Sequence, residues 1–472
     1  MENDMTSSVN NDQPADVVIL GGGSGGYACA LRAAQLGMSV VLVEAGKLGG
    51  TCLHNGCIPT KALLHAAEVA DSVREAHGFG IKATLDGIDM SAVNSYKNDV
   101  IAGLYRGLQG LVASRGIEVV AGYGRVVADR TVEVELAAGG RARYRGEALV
   151  LATGSQARSL PGLELGGPVM TSDRALELDT VPDRVVVLGG GVIGCEFASV
   201  WASLGTEVTI VEAAPRLLPT EDEWSSKQVE RAFRKRGIKS LTGTAFASVA
   251  TDADGGVDVG LADGRHVSAD LLLVSVGRGP RTAGLGFEEA GVEVDRGWVI
   301  TDELLQTGVP GVFAVGDIVP GPQLAHRGFA QGILVAEQLA GLDAMPIADK
   351  GIPRVTYSNP EVASVGLTES EAAEKYGDVS TAVYDLGGNG KSRILRTTGG
   401  IKLVRAGENG PVVGIHMVGA RVGELIGEAQ LIYNWEATAG DVAQLIHAHP
   451  TQAEALGEAH LALAGKALHA HG

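Results

Sequence analysis

The stretch Asp16-Val17-Val18-Ile19-Leu20-Gly21-Gly22-Gly23-Ser24-Gly25-Gly26 sets the architecture of this chain. Residues 16–20 read as a buried parallel strand, because after Asp16 they are uninterruptedly apolar. Tyr27 to Leu36 reads as a helix, and Ser39 to Val43 as a second strand running into Glu44. A glycine-rich string between strand and helix is the form of a dinucleotide-binding turn. Gly21 permits the tight turn, Gly23 lets a pyrophosphate approach the backbone, and Gly26 lets helix and strand pack closely. The helix start offers free N–H groups to phosphate oxygens. Glu44 follows Gly26 by 18 residues and is placed to accept hydrogen bonds from ribose hydroxyls.

The same pattern returns later. Arg184 to Leu188 is a strand, Gly189-Gly190-Gly191-Val192-Ile193-Gly194 a turn, and Cys195 to Leu204 a helix. Glu207 to Val211 follows as a strand and runs into Glu212. In both copies the acid stands 23 residues after the first glycine. Two matching copies predict two dinucleotide sites, built on Gly21, Gly23, Gly26 and Glu44 and on Gly189, Gly191, Gly194 and Glu212. They need not hold the same cofactor. A carboxylate at position 212 accepts from free ribose hydroxyls and repels a 2′-phosphate, which favours NAD over NADP; the nearest cation is Arg216, four positions on.

Each copy is followed by an alternating, strand-like region, residues 118–144 and 241–267, with turns at Asp254-Gly255-Gly256 and Asp263-Gly264 in the second. An apolar strand then enters a glycine turn, at Ala148 to Ser155 and again at Leu271 to Arg278. Thr153 and Gly154 at the first turn, and Gly277 at the second, are candidate cofactor contacts. Gly311 to Asp317 is a buried strand that ends in a carboxylate, and Asp317 is placed to hold a polyol or ribityl chain, or else to cap a turn. A helix is expected over Ala325 to Leu339. From Gly351 onward, short strands and helices predict an α+β domain without a nucleotide fingerprint.

Bulk properties fit several domains. The chain has 472 residues, too many for one ordinary core. Its formal charge of −18 argues against unassisted nucleic-acid binding. Met1 to Ala15 is polar, lacks the pattern of a signal peptide, and is expected to hang free. No apolar run reaches bilayer length, so a cytoplasmic protein is expected. Four cysteines in so long a chain are not a structural disulfide framework.

Two of the four, Cys52 and Cys57, lie close together in Gly49-Gly50-Thr51-Cys52-Leu53-His54-Asn55-Gly56-Cys57-Ile58-Pro59-Thr60-Lys61. In a regular helix, residues five apart have Cα atoms roughly 8–9 Å apart, whereas a disulfide requires less than about 7 Å. A bridge would therefore place Cys52 in a distorted loop or first turn. A helix is expected from Ala62 to Ala76. A metal site is a poor reading, since only His54 is near to complete it. Two inert core thiols are a second reading, and a reversible disulfide the favoured one. Cys29 and Cys195, in apolar runs after glycine turns, read as small core residues. Thiol–disulfide exchange needs a base. His449, followed by Pro450 and by Glu454, is a candidate, and His447 is an equal rival on spacing alone.

The order of these motifs resembles the class I pyridine nucleotide–disulfide oxidoreductases, over nearly everything from Asp16 to Leu468. The stretch Gly49 to Lys61 and the segment His449-Pro450-Thr451-Gln452-Ala453-Glu454 carry the likeness. The resemblance implies an α/β fold, with two Rossmann-like dinucleotide-binding domains in a glutathione-reductase-like arrangement and a C-terminal α+β dimerisation domain. It divides the chain into a flexible terminus (1–15), an FAD-binding domain (16–155), an NAD-binding domain (156–280), a return to the FAD-binding domain (281–350) and the dimerisation domain (351–472). The first site would hold FAD and the second NAD. Cys57 would be the flavin-side thiol and Cys52 the outer interchange thiol. His449, oriented by Glu454, would be the base and would come from the other subunit of a homodimer. Lys61 and Glu196 would pair beside the flavin, Asp317 would bind the ribityl chain, and Ala325-His326 would meet the pyrimidine edge.

The implied reaction oxidises a dihydrolipoyl group at the expense of NAD⁺. The group would be carried by an acyltransferase or carrier protein of a 2-oxoacid dehydrogenase or glycine cleavage complex. The nearest alternative is an NAD(P)H-dependent reductase of a low-molecular-weight disulfide, and Glu212 opposes its NADPH form. A non-catalytic scaffold of the same fold is the alternative of another class. The chain departs from the family pattern at His54, Asn55 and Arg327-Gly328-Phe329-Ala330.

Overall fold

The structure is a computed structural model that describes Val9–Asn10 and residues 14–128, 130–251 and 255–469. The loose stretch expected at Met1 to Ala15 lies largely outside these residues, and the turn expected at Asp254 begins outside them. Contacts divide the chain into two compact units. One takes in the chain up to Ala62, Asn94–Arg158 and Arg278–Asp349; the other takes in Leu63–Val93, Ser159–Gly277 and the chain from Lys350.

The first unit is built on a sheet whose parallel part runs Val312–Ala314, Arg141–Leu151, Ala15–Leu20, Val40–Glu44 and Glu118–Ala128. Its central strands are apolar on both faces, and Val18, Ile19, Leu42, Leu149 and Val150 are completely buried. Helix Ser24–Gln35 follows the first strand and packs against helix Ala325–Leu339, which has the bounds expected from the sequence. The two helices approach so closely that a Cβ at Gly332 would lie 2.3 Å from the Gly25 carbonyl oxygen.

The alternating region of residues 118–144 is strand, as its pattern suggests. Glu118–Ala128, Thr131–Leu136 and Arg141–Leu151 form an antiparallel meander, and two of its strands run on into the parallel sheet. Arg141–Leu151 pairs antiparallel with Thr131–Leu136 over residues 141–145 and parallel with Ala15–Leu20 from Gly146, so one strand serves both parts.

The second unit repeats this plan. Five parallel strands run in the order Lys239–Leu241, Glu207–Val211, Arg184–Leu188, Leu271–Val274 and Val169–Thr171. Phe246–Thr251, Val257–Leu261 and His266–Ala269 form the matching meander. From residue 354 on, a five-stranded antiparallel sheet runs Arg354–Thr356, Glu361–Gly366, Val412–Gly419, Gly400–Ala406 and Val379–Asp385. Helices Val422–Asn434 and Glu454–Leu463 cover one face, burying Ile401, Leu403, Ile415 and Met417. Helix Glu369–Tyr376 starts at Thr368 with a capping box closed by Glu371.

The opposite face of that sheet carries a row of buried polar residues. Ser364, His416 and Lys402 are neighbours across three strands. They meet Glu221 and Asp222, which precede helix Glu223–Lys235. Lys402 Nζ lies 2.7 Å from Asp222 Oδ1, and Ser364 Oγ donates to Glu221 Oε2 at 2.5 Å. Asp222 also caps the helix by accepting from Trp224 N. Among the described residues no helix is long and apolar enough to cross a membrane.

Candidate functional site

The two glycine turns have the same geometry. Gly21 and Gly189 both have φ of +107°, which side-chain-bearing residues avoid. A Cβ there would also strike the neighbouring strand, 2.3 Å from Ala152 O in the first and 2.4 Å from Ser275 O in the second. At Gly26 and Gly194 an added Cβ would come within about 2 Å of the carbonyl oxygens of Gly21 and Gly189. The middle glycines differ: Gly191 faces open space, and Gly23 meets only the Gly50 Cα at 4.0 Å. Each turn is therefore tight where it packs and clear where a pyrophosphate would approach, which is the shape a dinucleotide requires.

The acids at the strand ends complete each cradle. Glu44 accepts from Gly22 N and Gly46 N, and Glu212 from Gly190 N and Ala214 N, all at 2.6 Å. Both carboxylates are held by the backbone they close over, with further lone pairs free for ribose hydroxyls. Arg216 is engaged elsewhere, donating to the carbonyls of Pro219 and Glu221.

Cys52 lies in a short helix, Gly50–His54, and Cys57 is the first residue of the next, Cys57–Glu75. The break at Asn55-Gly56 supplies the distortion that a contact between the two side chains requires. That second helix begins five residues before the expected Ala62, with Pro59 in its first turn, where a missing N–H costs nothing. The Cys52 thiol is raised well above the ordinary value, first by its hydrogen bond with Cys57, then by burial and by the charge on Cys57; Lys61, one turn along, pulls the other way. The two side chains are thus hydrogen-bonded to each other, with Cys57 at the N-terminus of its helix. Cys29 and Cys195 are fully buried, and burial pushes the Cys29 thiol up to about 12.

A polar network that was not anticipated from sequence adjoins the pair within the first unit. Arg278 Nε donates to Ser155 Oγ at 2.8 Å, which donates to Asp317 Oδ2 at 2.6 Å. Arg278 also reaches the Ser155 carbonyl at 2.9 Å and Thr51 Oγ1 at 3.4 Å. Gly316 N donates to Gln331 Oε1, fixing the turn that presents Asp317. Thr153 Oγ1 and the Gly154 carbonyl bond to the Arg281 backbone, and Ala325 opens its helix. Gly277 has φ of +109°. The only sequence signal for Arg278 was its place beside that glycine.

The departures from the family pattern have local roles. His54 Nε2 bonds to the Leu48 carbonyl at 2.9 Å, and its ring stands edge-on to Tyr105. Phe329 packs on Tyr27, and Arg327 pairs with Asp349 at 2.8 Å.

In the second unit, His449 Nδ1 lies 2.7 Å from Glu454 Oε1, and Glu454 Oε2 accepts from Thr451 N at 2.7 Å. Burial pushes the Glu454 carboxyl up, but the Thr451 N–H and the His449 ring outweigh it and hold the group below the ordinary glutamate value. An ionised Glu454 requires His449 Nδ1 to carry a proton, which leaves Nε2 as the basic nitrogen. The rival His447 bonds instead to Glu428 at 2.7 Å. Its side chain is 13% exposed, against 77% for His449. Glu196 is buried and accepts from Tyr357 N at 2.9 Å.

Known proteins share this construction. Residues 15–332 match the family model described as pyridine nucleotide-disulphide oxidoreductase, and residues 352–460 match the dimerisation domain of the same family. A dihydrolipoyl dehydrogenase of Bacillus subtilis is 40% identical, the match covering 96% of this chain and 99% of the relative. The mitochondrial dihydrolipoyl dehydrogenase 1 of Arabidopsis thaliana is 39% identical, over 96% of this chain and 91% of the relative. Among solved structures, LpdA of Mycobacterium tuberculosis superposes with a TM-score of 0.89 at 26% identity, over 95% of this chain and 99% of that one. The chain belongs to the pyridine nucleotide-disulphide oxidoreductase family.

Proposed function

We propose that this chain oxidises protein-bound dihydrolipoamide to lipoamide through Cys52 and Cys57 and reduces NAD⁺ to NADH. The observation that carries the reading is the thiol pair itself. Two cysteines are hydrogen-bonded to each other across a break between helices, in the same compact unit as the first dinucleotide cradle and Asp317. We assign FAD to the cradle of Gly21, Gly23, Gly26 and Glu44, with Lys61, Thr153, Gly154, Asp317 and Ala325 as further contacts. We assign NAD to the cradle of Gly189, Gly191, Gly194 and Glu212, with Gly277. The engagement of Arg216 with backbone carbonyls supports NAD over NADP, because that cation is not turned to a 2′-phosphate.

His449 Nε2 takes the proton of an incoming lipoyl thiol. Exposure favours His449 over His447, since a base for an external dithiol must be reachable. The thiolate attacks Cys52 Sγ, the Cys52–Cys57 bond breaks, and Cys57 leaves as a thiolate. The second lipoyl sulfur then attacks the mixed disulfide, releasing cyclic lipoamide and a Cys52 thiol. FAD, held by the first cradle, would supply the two-electron acceptor between this dithiol and NAD⁺. The sum is dihydrolipoamide + NAD⁺ → lipoamide + NADH + H⁺. The dimerisation domain supports a homodimer, and we assign His449 to act from the second subunit. Lys61 and Glu196 are assigned to the flavin's surroundings.

The test is steady-state oxidation of dihydrolipoamide with NAD⁺ and NADP⁺, followed with the flavin absorbance. Bleaching by dihydrolipoamide and its loss in Cys57→Ser are the expected results. Full activity with both Cys52 and Cys57 replaced by serine would overturn the route. Rapid bleaching by NADPH with a soluble disulfide, and none by dihydrolipoamide, would transfer the reading to the reductase.

A further inference from the structure

Between Asp385 and Glu408 the chain carries five cations and no acid, within a protein of formal charge −18. Two of the five are consumed inside the fold. Lys402 is buried against Asp222 and Glu369. Arg405 donates to the carbonyls of Gly407 and Leu463. The other three, Lys391, Arg393 and Arg396, form no salt bridge among the described residues. They lie on or just beyond the short helix Gly390–Ile394, with Arg393 and Arg396 exposed and Lys391 half-buried. Ile394, between them, is 58% exposed. The Arg396 guanidinium lies over the Phe79 ring at 5.5 Å and is steadied there.

This helix is fixed to the segment that carries His449. Buried Asn389 accepts from Ser392 N at 2.8 Å and donates to the Thr451 carbonyl at 3.0 Å. Ser392 Oγ, fully buried, donates to Gln452 Oε1 at 2.6 Å. A Cβ on Gly390 would come 3.9 Å from His449 Cε1. The cations therefore stand on a rigid support beside the proposed base.

A dihydrolipoyl arm is a neutral amide and gains nothing from neighbouring cations. A protein surface around the arm does gain, provided it is acidic. We propose that Lys391, Arg393 and Arg396, with Ile394 at their centre, form the docking surface for the acidic face of the protein domain that presents the dithiol. This rests on the reading of the activity as oxidation of a protein-borne dithiol.

The test uses full-length holoenzyme, wild type and Lys391→Glu/Arg393→Glu/Arg396→Glu, with three reduced substrates: free dihydrolipoamide, dihydrolipoate, and a lipoyl domain of acidic surface. At low salt the variant's kcat/KM for the domain should fall on the order of ten-fold, through slower encounter. The gap should close at about 0.5 M salt, where the screening length is only a few ångströms. Free dihydrolipoamide should change by less than about two-fold, since no charge is steered. The triple glutamine variant should fall between the two and guards against misfolding of the glutamate form. Equal losses on dihydrolipoamide and the domain, or no loss on either, would overturn the docking surface while leaving the activity intact. A loss on dihydrolipoate as large as on the domain would make this a small-anion site instead. Wild-type enzyme that oxidises none of the three would remove the activity and the docking surface together.

Discussion

Replacing Gly189 by alanine separates the two dinucleotide sites. Its φ of +107° lies well beyond the left-handed region that other residues tolerate, and the added Cβ would stand 2.4 Å from the Ser275 carbonyl oxygen. The backbone strain alone is about 1–3 kcal/mol. Forcing the contact out to ordinary distance adds about 1–3 kcal/mol more. The turn can relieve both only by lifting away from strand Leu271–Val274, which moves the amides that face the pyrophosphate. Even the lower sum, about 2 kcal/mol, would raise the apparent Kd for NAD about thirty-fold if it fell wholly on binding. We expect at least a ten-fold rise in KM for NAD⁺ with the flavin still bound at one per chain. Gly21→Ala, with the same φ and a clash of 2.3 Å at Ala152 O, should do the reverse and release flavin. The measurements are flavin absorbance after gel filtration and initial rates over a range of NAD⁺. Loss of flavin from Gly189→Ala, with NAD⁺ saturation unchanged, would show that the two cofactors had been assigned to the wrong turns. No change in either variant would refute the cradle argument itself.

His449→Gln should lower turnover of dihydrolipoamide about 10²–10⁴-fold while leaving the flavin spectrum unchanged; Glu454→Gln should lose less, because the ring remains. Lys402→Met leaves Asp222 buried with only the Trp224 and Glu369 N–H groups, and should lower stability by about 3–5 kcal/mol, read as a shift in the urea midpoint. Burial pushes His460 from 6.5 down to about 4, so its contribution is complete above pH 6.5 and is lost as pH falls toward 4, about 3 kcal/mol in all. His460→Leu should flatten the urea midpoint between those limits, leaving the same-signed but separate effect of burial on His416; an unchanged slope would mean that the ring is not buried neutral.

Local chemistry explains what could be read ahead of the structure. The strands at residues 16–20 and 184–188 are continuous apolar runs followed at once by glycines, and each signal fits within a dozen residues. Helix Ala325–Leu339 was legible although Arg327 and Gln331 lie on its buried face, because Leu334, Val335, Ala336 and Leu339 supply an apolar face in its second half. The start of helix Cys57–Glu75 was not, since the break at Asn55-Gly56 that precedes it carries no periodic signal. Helix Gly390–Ile394 escaped notice because five residues hold too little periodicity; what stabilises it is Asn389, whose partner Thr451 is 62 residues distant.

Buried polar residues set the limit more sharply. Strand alternation puts Lys402 on the face opposite Ile401 and Leu403, and a lysine there reads as solvent-facing. It is buried because Asp222 covers it from 180 residues earlier in the chain, a distance no local pattern can span. The same reasoning applies at the redox pair. Cys52 and Cys57 announce themselves because they lie within five residues of each other, whereas spacing alone leaves His447 level with His449. What orients the surroundings is Arg278, 123 residues from Ser155 and 227 from Thr51. The two cysteines proposed to react are written close together in such a chain, while the groups that hold their surroundings in place are supplied by the topology. For that reason substitution of Arg278 should disturb the setting of Asp317 and Thr51 without touching either sulfur.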